Sequence, residues 1–219
     1  MSEVNYDYIV QYLRALRPET TGVLNDIESA IYQKEANWPI IKPEVSGFIN
    51  VLLSIIKPQK ILEIGTNVGY SSIYMSKVID AHITTIERNS ECINQAMANI
   101  KKEGLEDKIS ILEGDAINIL QTLDDVMYDV VFMDCAKGQY INLLPDCLRV
   151  LNKGGVLIAD NVLHKGAVAK SRYHVERRQR TTHKRLREFL WNITHDDMLN
   201  TSIVPIGDGV SISFKKEQI

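Results

Sequence analysis

The 219-residue sequence contains no apolar run as long as the ~18 residues that suggest a transmembrane helix. Its three cysteines, Cys92, Cys135 and Cys147, are too few and too scattered for a disulfide framework or a zinc site. Residues 1–8 are polar, and no basic stretch leads into an apolar one, so no secretory signal is expected. Internal repeats and low-complexity tracts are also absent. These absences exclude membrane-spanning, disulfide-stabilised and repeat proteins, and they favour a cytoplasmic enzyme or binding protein.

The composition is that of an ordinary globular protein, with 45% hydrophobic and 24% charged residues. The length suits one large α/β domain over residues 1–219 better than two small ones. Within that domain we expect N-terminal helices over residues 1–57 and a ligand-binding core over residues 58–219.

Charge is distributed unevenly along the chain. The formal net charge is only −3, which by itself argues against a nucleic-acid partner. However, the segment from Lys165 to Arg187 holds nine Lys or Arg residues and one acid, Glu176, so its charge is +8. The remaining 16 basic and 27 acidic residues give the rest of the chain a charge of −11. A concentration of this kind is typical of a surface that binds anions.

The first 57 residues show helical periodicity. Apolar residues spaced for one helical face lie between Tyr8 and Leu16 and again between Val23 and Ile31, and a third helix is expected over Pro43–Ile56. Tyr8 and Tyr12 are expected to pack among these helices, with contact to a substrate as the alternative. The apolar faces of the helices also suggest a homodimer interface.

From residue 60 onward, short apolar runs alternate with amphipathic segments. The runs predicted as strands are Ile61–Ile64, Ile83–Ile86, Ile109–Leu112, Val130–Met133 and Val156–Ala159. Helices are expected near 70–79, 90–103, 115–121, 139–151 and 181–194. Two last runs, Thr201–Pro205 and Val210–Phe214, flank a short turn and predict an antiparallel hairpin. The pattern indicates a Rossmann-like, mostly parallel sheet with helices on both faces.

Three predicted strand ends carry residues suited to an adenosine. Gly65 and Gly69 follow the first strand and allow close approach of a ligand to the backbone. Glu87 ends the second strand, where a carboxylate can accept hydrogen bonds from two ribose hydroxyls. Asp115 and Ala116 follow the third, where a carboxylate can lie near an adenine amino group. The alternatives are a simple turn for the glycines and a helix cap for Asp115. The dinucleotide-binding and P-loop patterns are absent, so no phosphate cradle is expected.

Oxygen ligands follow the fourth and fifth strands. Asp134 ends one, and Asp160 and Asn161 end the other. Carboxylate and amide oxygens suit Mg²⁺ or another hard divalent cation better than zinc. The alternative is that these aspartates only cap the elements that follow them.

The motifs resemble the class I S-adenosylmethionine-dependent methyltransferases, and more narrowly the metal-dependent O-methyltransferases that include the catechol and caffeoyl-CoA enzymes. The resemblance rests on 62–65, 69–71, 134–140, 160–163 and 207–209, and it extends from about Ile40 to Phe214. It implies a seven-stranded sheet with the last strand antiparallel. The residues it places at S-adenosylmethionine are Glu63, Gly65, Gly69, Ser71, Glu87, Asp115, Ala116 and Asp134. It further implies that Asp134, Asp160 and Asn161 hold the metal and that Lys137 is catalytic; a solvated loop lysine is the alternative.

The basic segment bears on the acceptor. A small neutral phenol does not need nine cations beside the active centre, whereas RNA phosphates do. The candidate RNA-binding residues are Lys165, Arg172, Arg177, Arg178, Arg180, Lys184 and Arg185. Residues 174–181 and 203–209 resemble a bacterial branch of the family that methylates 5-hydroxyuridine at the wobble position of the tRNA anticodon. Methylation of that base is therefore the expectation. A small catechol-like acceptor with the segment as a solvated helix face, and a non-catalytic RNA-binding protein, are the alternatives.

Overall fold

Three helices precede the sheet in the computed structural model, which describes residues 4–217; residues 1–3 and 218–219 of the predicted domain lie outside that range. The helices are α1 (Asp7–Ala15), α2 (Val23–Tyr32) and α3 (Pro43–Ile56). Helix α1 buries none of its side chains, and Tyr8 and Tyr12 are 69% and 65% exposed. The expectation that these tyrosines pack among the N-terminal helices is therefore wrong. An ion pair between Arg14 and Glu44, at 2.8 Å, joins α1 to α3, and the apolar side of α1 faces outward.

Seven strands form one sheet in the order β3-β2-β1-β4-β5-β7-β6. Their bounds are β1 (Lys60–Ile64), β2 (His82–Glu87), β3 (Ile109–Glu113), β4 (Tyr128–Met133), β5 (Leu151–Ala159), β6 (Leu199–Val204) and β7 (Val210–Lys215). The first five strands in chain order pair in parallel, and β7 lies antiparallel between β5 and β6. The predicted Rossmann-like sheet and its C-terminal hairpin are confirmed. Strand β5 begins at Leu151, earlier than predicted, because Leu151 already pairs with Tyr128 of β4. Residues 152–155, which lack apolar character, belong to the strand and gave no apolar run in the sequence.

The remaining helices are α4 (Tyr70–Val78), α5 (Ser90–Lys102), α6 (Ala116–Thr122), α7 (Tyr140–Val150) and α8 (Arg180–His195). They and α3 cover both faces of the sheet, and neighbouring strand residues belong to opposite hydrophobic clusters. Val131 packs with Phe189 of α8 in one cluster, whereas Val130 packs with Ile49 of α3 and Ile73 of α4 in the other. This two-sided burial explains why the strands are continuous apolar runs. Within residues 4–217, no helix has the length and hydropathy needed to cross a bilayer.

Candidate active site

A cavity of about 650 Å³ opens at the carboxyl ends of β1, β2 and β4. The sheet order reverses between β1 and β4, and open α/β sheets bind their ligands at such a point. The predicted site residues that line the cavity are Gly65, Ser71, Glu87, Asp115, Ala116, Asp134, Lys137 and Asn161. Glu63, Gly69 and Asp160 belong to the same strand ends and loops without lining it, and Glu63 and Asp160 are buried. The fold therefore gathers the adenosine, metal and lysine positions into one region.

The loop after β1 takes its shape from Gly65. This residue has φ +105°, and a Cβ added there would lie 2.4 Å from the carbonyl oxygen of Asp134. Only glycine therefore allows the ends of β1 and β4 to approach this closely. Two residues later, Asn67 donates its side-chain amide to the carbonyl oxygen of Pro39 at 2.7 Å. That bond ties the loop to the 39–41 segment, which forms another wall of the cavity.

The carboxylate of Glu87 is oriented by backbone amides. Its Oε2 accepts a hydrogen bond from the N–H of Asn67 at 2.9 Å. Its Oε1 accepts from the N–H groups of Arg88 and Asn89 at 2.9 and 3.0 Å. A carboxylate held in this way has one fixed orientation at the cavity wall, and Oε2 retains an acceptor site for a ligand hydroxyl.

Asp115 caps a helix and also lines the cavity. Its Oδ1 accepts from the N–H of Ile117 at 3.0 Å, so it is the N-cap of α6, as the helix-cap alternative predicts. Its Oδ2 lies 3.4 Å from Arg88, and the residue also lines the cavity beside Ala116. The capping bond and the Arg88 contact each use one acceptor site, so each oxygen retains a second site for a ligand.

Glu63 lies beneath the glycine loop, fully buried. Its Oε2 accepts hydrogen bonds from the hydroxyls of Ser72 and Thr85, whereas within residues 4–217 its Oε1 has no partner. Burial raises the pKa of Glu63 to about 7. A buried carboxylate oxygen without a donor is costly, and a ligand cation or N–H group next to it would reduce that cost.

Asp134, Asp160 and Asn161 meet at the opposite end of the cavity from Glu87 and Asp115. Asp134 pairs with Lys137 at 2.9 Å, whereas within residues 4–217 Asp160 forms no ion pair. Asp160 is 1% exposed, and its Oδ1 accepts from the N–H of Asn161 at 2.6 Å. Burial and then the negative charge of Asp134 raise the pKa of Asp160 to about 7. Two adjacent carboxylates, one buried without a paired cation, are an electrostatic arrangement that a divalent cation would stabilise.

The chemistry of these donors fits a hard cation. In the described part of the chain, no group of three or more His, Cys, Asp or Glu side chains could hold a metal by itself. A cation held by the two carboxylates would need further oxygen ligands, and the side-chain amide of Asn161 carries one such oxygen. Water and acceptor oxygens would complete the coordination shell, as Mg²⁺ usually requires.

Tyr140 contacts the backbone beneath the two strand ends that carry Asp134 and Asp160. Its side chain is fully buried, and its hydroxyl lies 3.0 Å from the carbonyl oxygen of Met133 and 2.9 Å from that of Asp160. Its ring packs edge-on against Phe189 of α8. The sequence leaves open whether Tyr140 packs under the loop or borders a substrate, and the structure shows that it packs under the loop. It joins the ends of β4 and β5, which carry Asp134 and Asp160.

Several residues that line the cavity were not predicted from the sequence. Asn67 lies inside the glycine loop and Tyr70 directly follows it, so both could have been found from that position. The 39–41 segment gives no sequence signal, because it reaches the cavity only through tertiary packing of the N-terminal helices. Cys135 lies between the predicted metal ligand Asp134 and Lys137, and burial raises its pKa to about 12. Its thiol therefore stays protonated, which makes it a poor nucleophile.

The basic segment forms a second depression, of about 700 Å³, around the start of α8. Arg172, Arg180, Lys184 and Arg185 line it, whereas Arg177 and Arg178 do not. The candidate residues Lys165, Arg177 and Arg178 are exposed outside it, and Arg178 pairs with Glu176 at 2.8 Å. The structure therefore brings together only part of the predicted RNA-binding set.

A backbone contact connects this depression to the active-site loop. Arg185 donates from Nη1 to the carbonyl oxygen of Gly138 at 3.1 Å, directly after Lys137. Arg180 likewise donates to the carbonyl oxygen of Val175 at 3.2 Å. These arginines are held by carbonyl groups, which orient a guanidinium without neutralising its charge.

Comparisons with known proteins point to one enzyme family. The O-methyltransferase family profile matches residues 16–216. A caffeoyl-CoA O-methyltransferase of Stellaria longipes is 26% identical over 220 residues, covering 96% of this chain and 89% of that protein. A flavonoid 3′,5′-methyltransferase of Vitis vinifera is 29% identical over 208 residues, covering 89% of this chain and 87% of that protein.

Solved structures agree with the fold. A Staphylococcus aureus protein assigned as a caffeoyl-CoA O-methyltransferase is 30% identical with a TM-score of 0.87, covering 95% of this chain and all of that chain. The O-methyltransferase TomG of Streptomyces achromogenes, solved in complex with S-adenosylmethionine, is 22% identical with a TM-score of 0.83, covering 99% of this chain and all of that chain.

Proposed function

The chain belongs to the S-adenosylmethionine-dependent O-methyltransferases of the caffeoyl-CoA type, and from this premise we propose that it methylates one of two adjacent oxygens on its acceptor. The observation that carries the proposal is the meeting of Asp134, Asp160, Asn161 and Lys137 at one end of the cavity lined by Glu87 and Asp115. An acceptor with two neighbouring oxygens can bind a single cation through both, which would fix one of them beside the methyl donor.

Residues at the other end of the cavity would hold the methyl donor. The amide-oriented carboxylate of Glu87 would accept a hydrogen bond from a ribose hydroxyl at the free site of Oε2. Asp115, with one oxygen free of the helix-capping bond, would accept from the adenine amino group. Glu63, whose Oε1 lacks a partner among the described residues, would lie near the donor's ammonium group, and Ser71 lines the cavity beside it. No pyrophosphate cradle is needed for this ligand.

Asp134, Asp160 and Asn161 would hold the divalent cation. When bound, S-adenosylmethionine supplies the methyl group, and the cation lowers the pKa of the acceptor hydroxyl. In its neutral form, Lys137 Nζ, which lies 2.9 Å from Asp134 Oδ1, would receive the proton that this hydroxyl loses. Tyr140 keeps the two strand ends together, so that the carboxylates and the lysine stay in register.

A catechol-like or other phenolic hydroxyl is the acceptor that the relatives favour. Two of them are named for caffeoyl-CoA and for a flavonoid, which are phenolic compounds. Vicinal hydroxyls on such a ring provide the two adjacent oxygens that the proposed cation site requires.

The basic depression favours a second acceptor, 5-hydroxyuridine in the anticodon loop of tRNA. Its 5-hydroxyl and neighbouring carbonyl oxygen also form an adjacent pair. Arg172, Arg180, Lys184 and Arg185 surround a depression that could accept RNA phosphates, and Arg185 touches the loop of Lys137. An unstacked base could thus enter the cavity while its neighbours are held outside.

A methyl-transfer assay distinguishes the two acceptors. The full chain is incubated with radiolabelled S-adenosylmethionine and Mg²⁺, and with either caffeic acid or tRNA from cells that lack wobble methoxylation. Label in caffeic acid, lost on adding EDTA, supports the phenolic acceptor. Label in tRNA alone, confined to uridine and lost on adding EDTA, identifies the second acceptor. Transfer that persists in EDTA would contradict the metal site for either acceptor.

The expected homodimer stays a prediction. The outward-facing apolar residues of α1, together with Val51 and Ile55 of α3, are exposed in the single chain and would form its interface. Light scattering of the purified chain tests it, because Tyr12→Glu and Ile55→Glu should shift a dimer to a monomer. A monomeric mass for the unmodified chain would contradict it.

A further inference from the structure

The loop that follows β5 is strained. Asn161, His164 and Lys165 have φ values of +57°, +48° and +55°, a left-handed conformation that residues other than glycine adopt rarely. Asparagine and histidine adopt this conformation more readily than most residues, but lysine does not share that advantage. Left-handed residues other than glycine cost free energy, so contacts with the rest of the fold must hold the loop in this shape. The restraint matters for the site because Asn161, a proposed metal ligand, belongs to this loop.

The turn between β6 and β7 provides that restraint. The backbone N–H groups of Val162 and Leu163 donate to the carbonyl oxygens of Gly209 and Asp208, both at 2.9 Å. The N–H of Lys165 donates to Asp208 Oδ1 at 2.6 Å. Three hydrogen bonds thus attach the strained loop to one turn, and the side chain of Asp208 accepts the last of them.

The two segments are also packed tightly. Asp208 is buried, and the next residue, Gly209, has φ +87°. A Cβ added at Gly209 would lie 2.3 Å from Cγ of Leu163. The turn therefore lies against the loop with no room for a larger residue, and the Asp208 carboxylate has little freedom to leave Lys165.

We propose that Asp208 is a positioning residue for the metal site: it holds the 161–165 loop in place, with Asn161, His164 and Lys165 left-handed, so that the Asn161 amide faces the same centre as Asp134 and Asp160. This inference rests on the proposed function, because it assumes that Asn161 is a ligand. Asp208 acts as a hydrogen-bond acceptor, so its role depends on Oδ1 and not on its negative charge. Partners that orient a ligand affect metal affinity strongly, with typical losses of about 10- to 100-fold.

Titration of the full chain with Mn²⁺, followed by electron paramagnetic resonance, tests the proposal without requiring catalysis. Asp208→Ala should weaken Mn²⁺ binding about 10-fold or more. Asp208→Asn should bind within about twofold of the unmodified chain, since its Oδ1 can still accept from Lys165. If Asp208→Ala does not fold, Asp208→Ser replaces it, because its shorter side chain also loses the contact.

Asp196 supplies a matched control. Its Oδ1 accepts from the N–H of Met198 at 2.8 Å, in the turn that leads into β6. Asp196→Ala removes a similar turn bond and should leave Mn²⁺ affinity unchanged. S-adenosylmethionine affinity, measured by calorimetry, should be unchanged in every variant.

Three results would overturn the inference. Unchanged Mn²⁺ affinity in Asp208→Ala would show that the loop needs no such restraint. Equal losses in Asp208→Asn and Asp208→Ala would show that the charge matters instead of the acceptor. If the unmodified chain does not bind Mn²⁺, the metal site of the proposed function fails as well, which separates that failure from the first two.

Discussion

Replacing Asp160 with asparagine should stabilise the metal-free protein at alkaline pH while removing its ability to bind a cation. Asp160 is buried beside Asp134, and its pKa is raised from 3.8 to about 7. Between about pH 4 and pH 7, the unfolded chain releases this proton while the folded chain keeps it. Stability therefore falls as the pH rises through that window and stays reduced above it. Asparagine cannot ionise, and its Oδ1 still accepts from the N–H of Asn161.

The size of the effect follows from the two pKa values. One pH unit between them corresponds to about 1.4 kcal/mol, so full ionisation of Asp160 costs up to about 4 kcal/mol. Relaxation and water near the site reduce this figure, and we expect a gain of about 2–4 kcal/mol for Asp160→Asn at pH 8. For a chain of this length, that gain raises the melting temperature by about 4–16 °C. At pH 4 the gain should vanish, because Asp160 is then largely protonated in the folded chain.

Thermal unfolding in EDTA at pH 4 and pH 8 measures the difference. Adding Mg²⁺ at pH 8 should stabilise the unmodified chain and leave Asp160→Asn unchanged. Asp129→Asn is the matched control of opposite sign. Burial acts to raise the pKa of Asp129, but hydrogen bonds from the backbone amides of Lys60 and Gln59 and from the side chain of Asn152 have the larger effect. The pKa of Asp129 is therefore lowered. This control should lose stability at pH 8. If Asp160→Asn is less stable than the unmodified chain in EDTA at pH 8, the electrostatic argument is wrong.

Three further variants, one of them a double replacement, test the proposed site and surface. Lys137→Met should lower kcat by about 10²- to 10⁴-fold without changing S-adenosylmethionine affinity, and equal loss of both would contradict its role as the proton acceptor. Glu87→Ala should weaken S-adenosylmethionine binding about 10- to 100-fold in calorimetry, whereas Glu113→Ala, at the exposed end of the neighbouring strand, should not. Replacing Arg172 and Lys184 together with alanine should reduce the slope of log K against log salt for tRNA by about 2; an unchanged slope would return the segment to a solvated helix face.

The charge pattern illustrates a limit of the sequence. The segment from Lys165 to Arg187 is visibly basic, but the sequence cannot say which of its cations share a surface. In the structure, short 3₁₀ turns and the start of α8 gather Arg172, Arg180, Lys184 and Arg185 around one depression and leave Arg177 and Arg178 outside. Side chains that are adjacent in sequence point in different directions in such turns, so spacing alone does not decide the grouping.

The strand-end residues illustrate the opposite case. Gly65, Glu87, Asp115, Asp134 and Asp160 were all identifiable from the sequence, because parallel strands place their carboxyl ends at one edge whatever the details of packing. The apolar strand runs and the final hairpin were identifiable for the same reason, since local periodicity and turn residues determine them.

Contacts between distant segments had to come from the tertiary structure. Packing decides three features of the site and surface: the missing partner of Glu63 Oε1 among residues 4–217, the raised pKa of Asp160 and the exposed face of α1. The sequence alone does not show which groups pack together. Likewise, the sequence indicates only that Asp208 lies in a turn. The structure shows that its carboxylate accepts a hydrogen bond from the amide of Lys165, 43 residues earlier in the chain. The sequence by itself thus determined the sheet, the family and the set of strand-end donors, because these follow from local pattern. Only the tertiary structure decided which groups are buried, oriented or left charged, because desolvation and hydrogen bonding are set by neighbours in space.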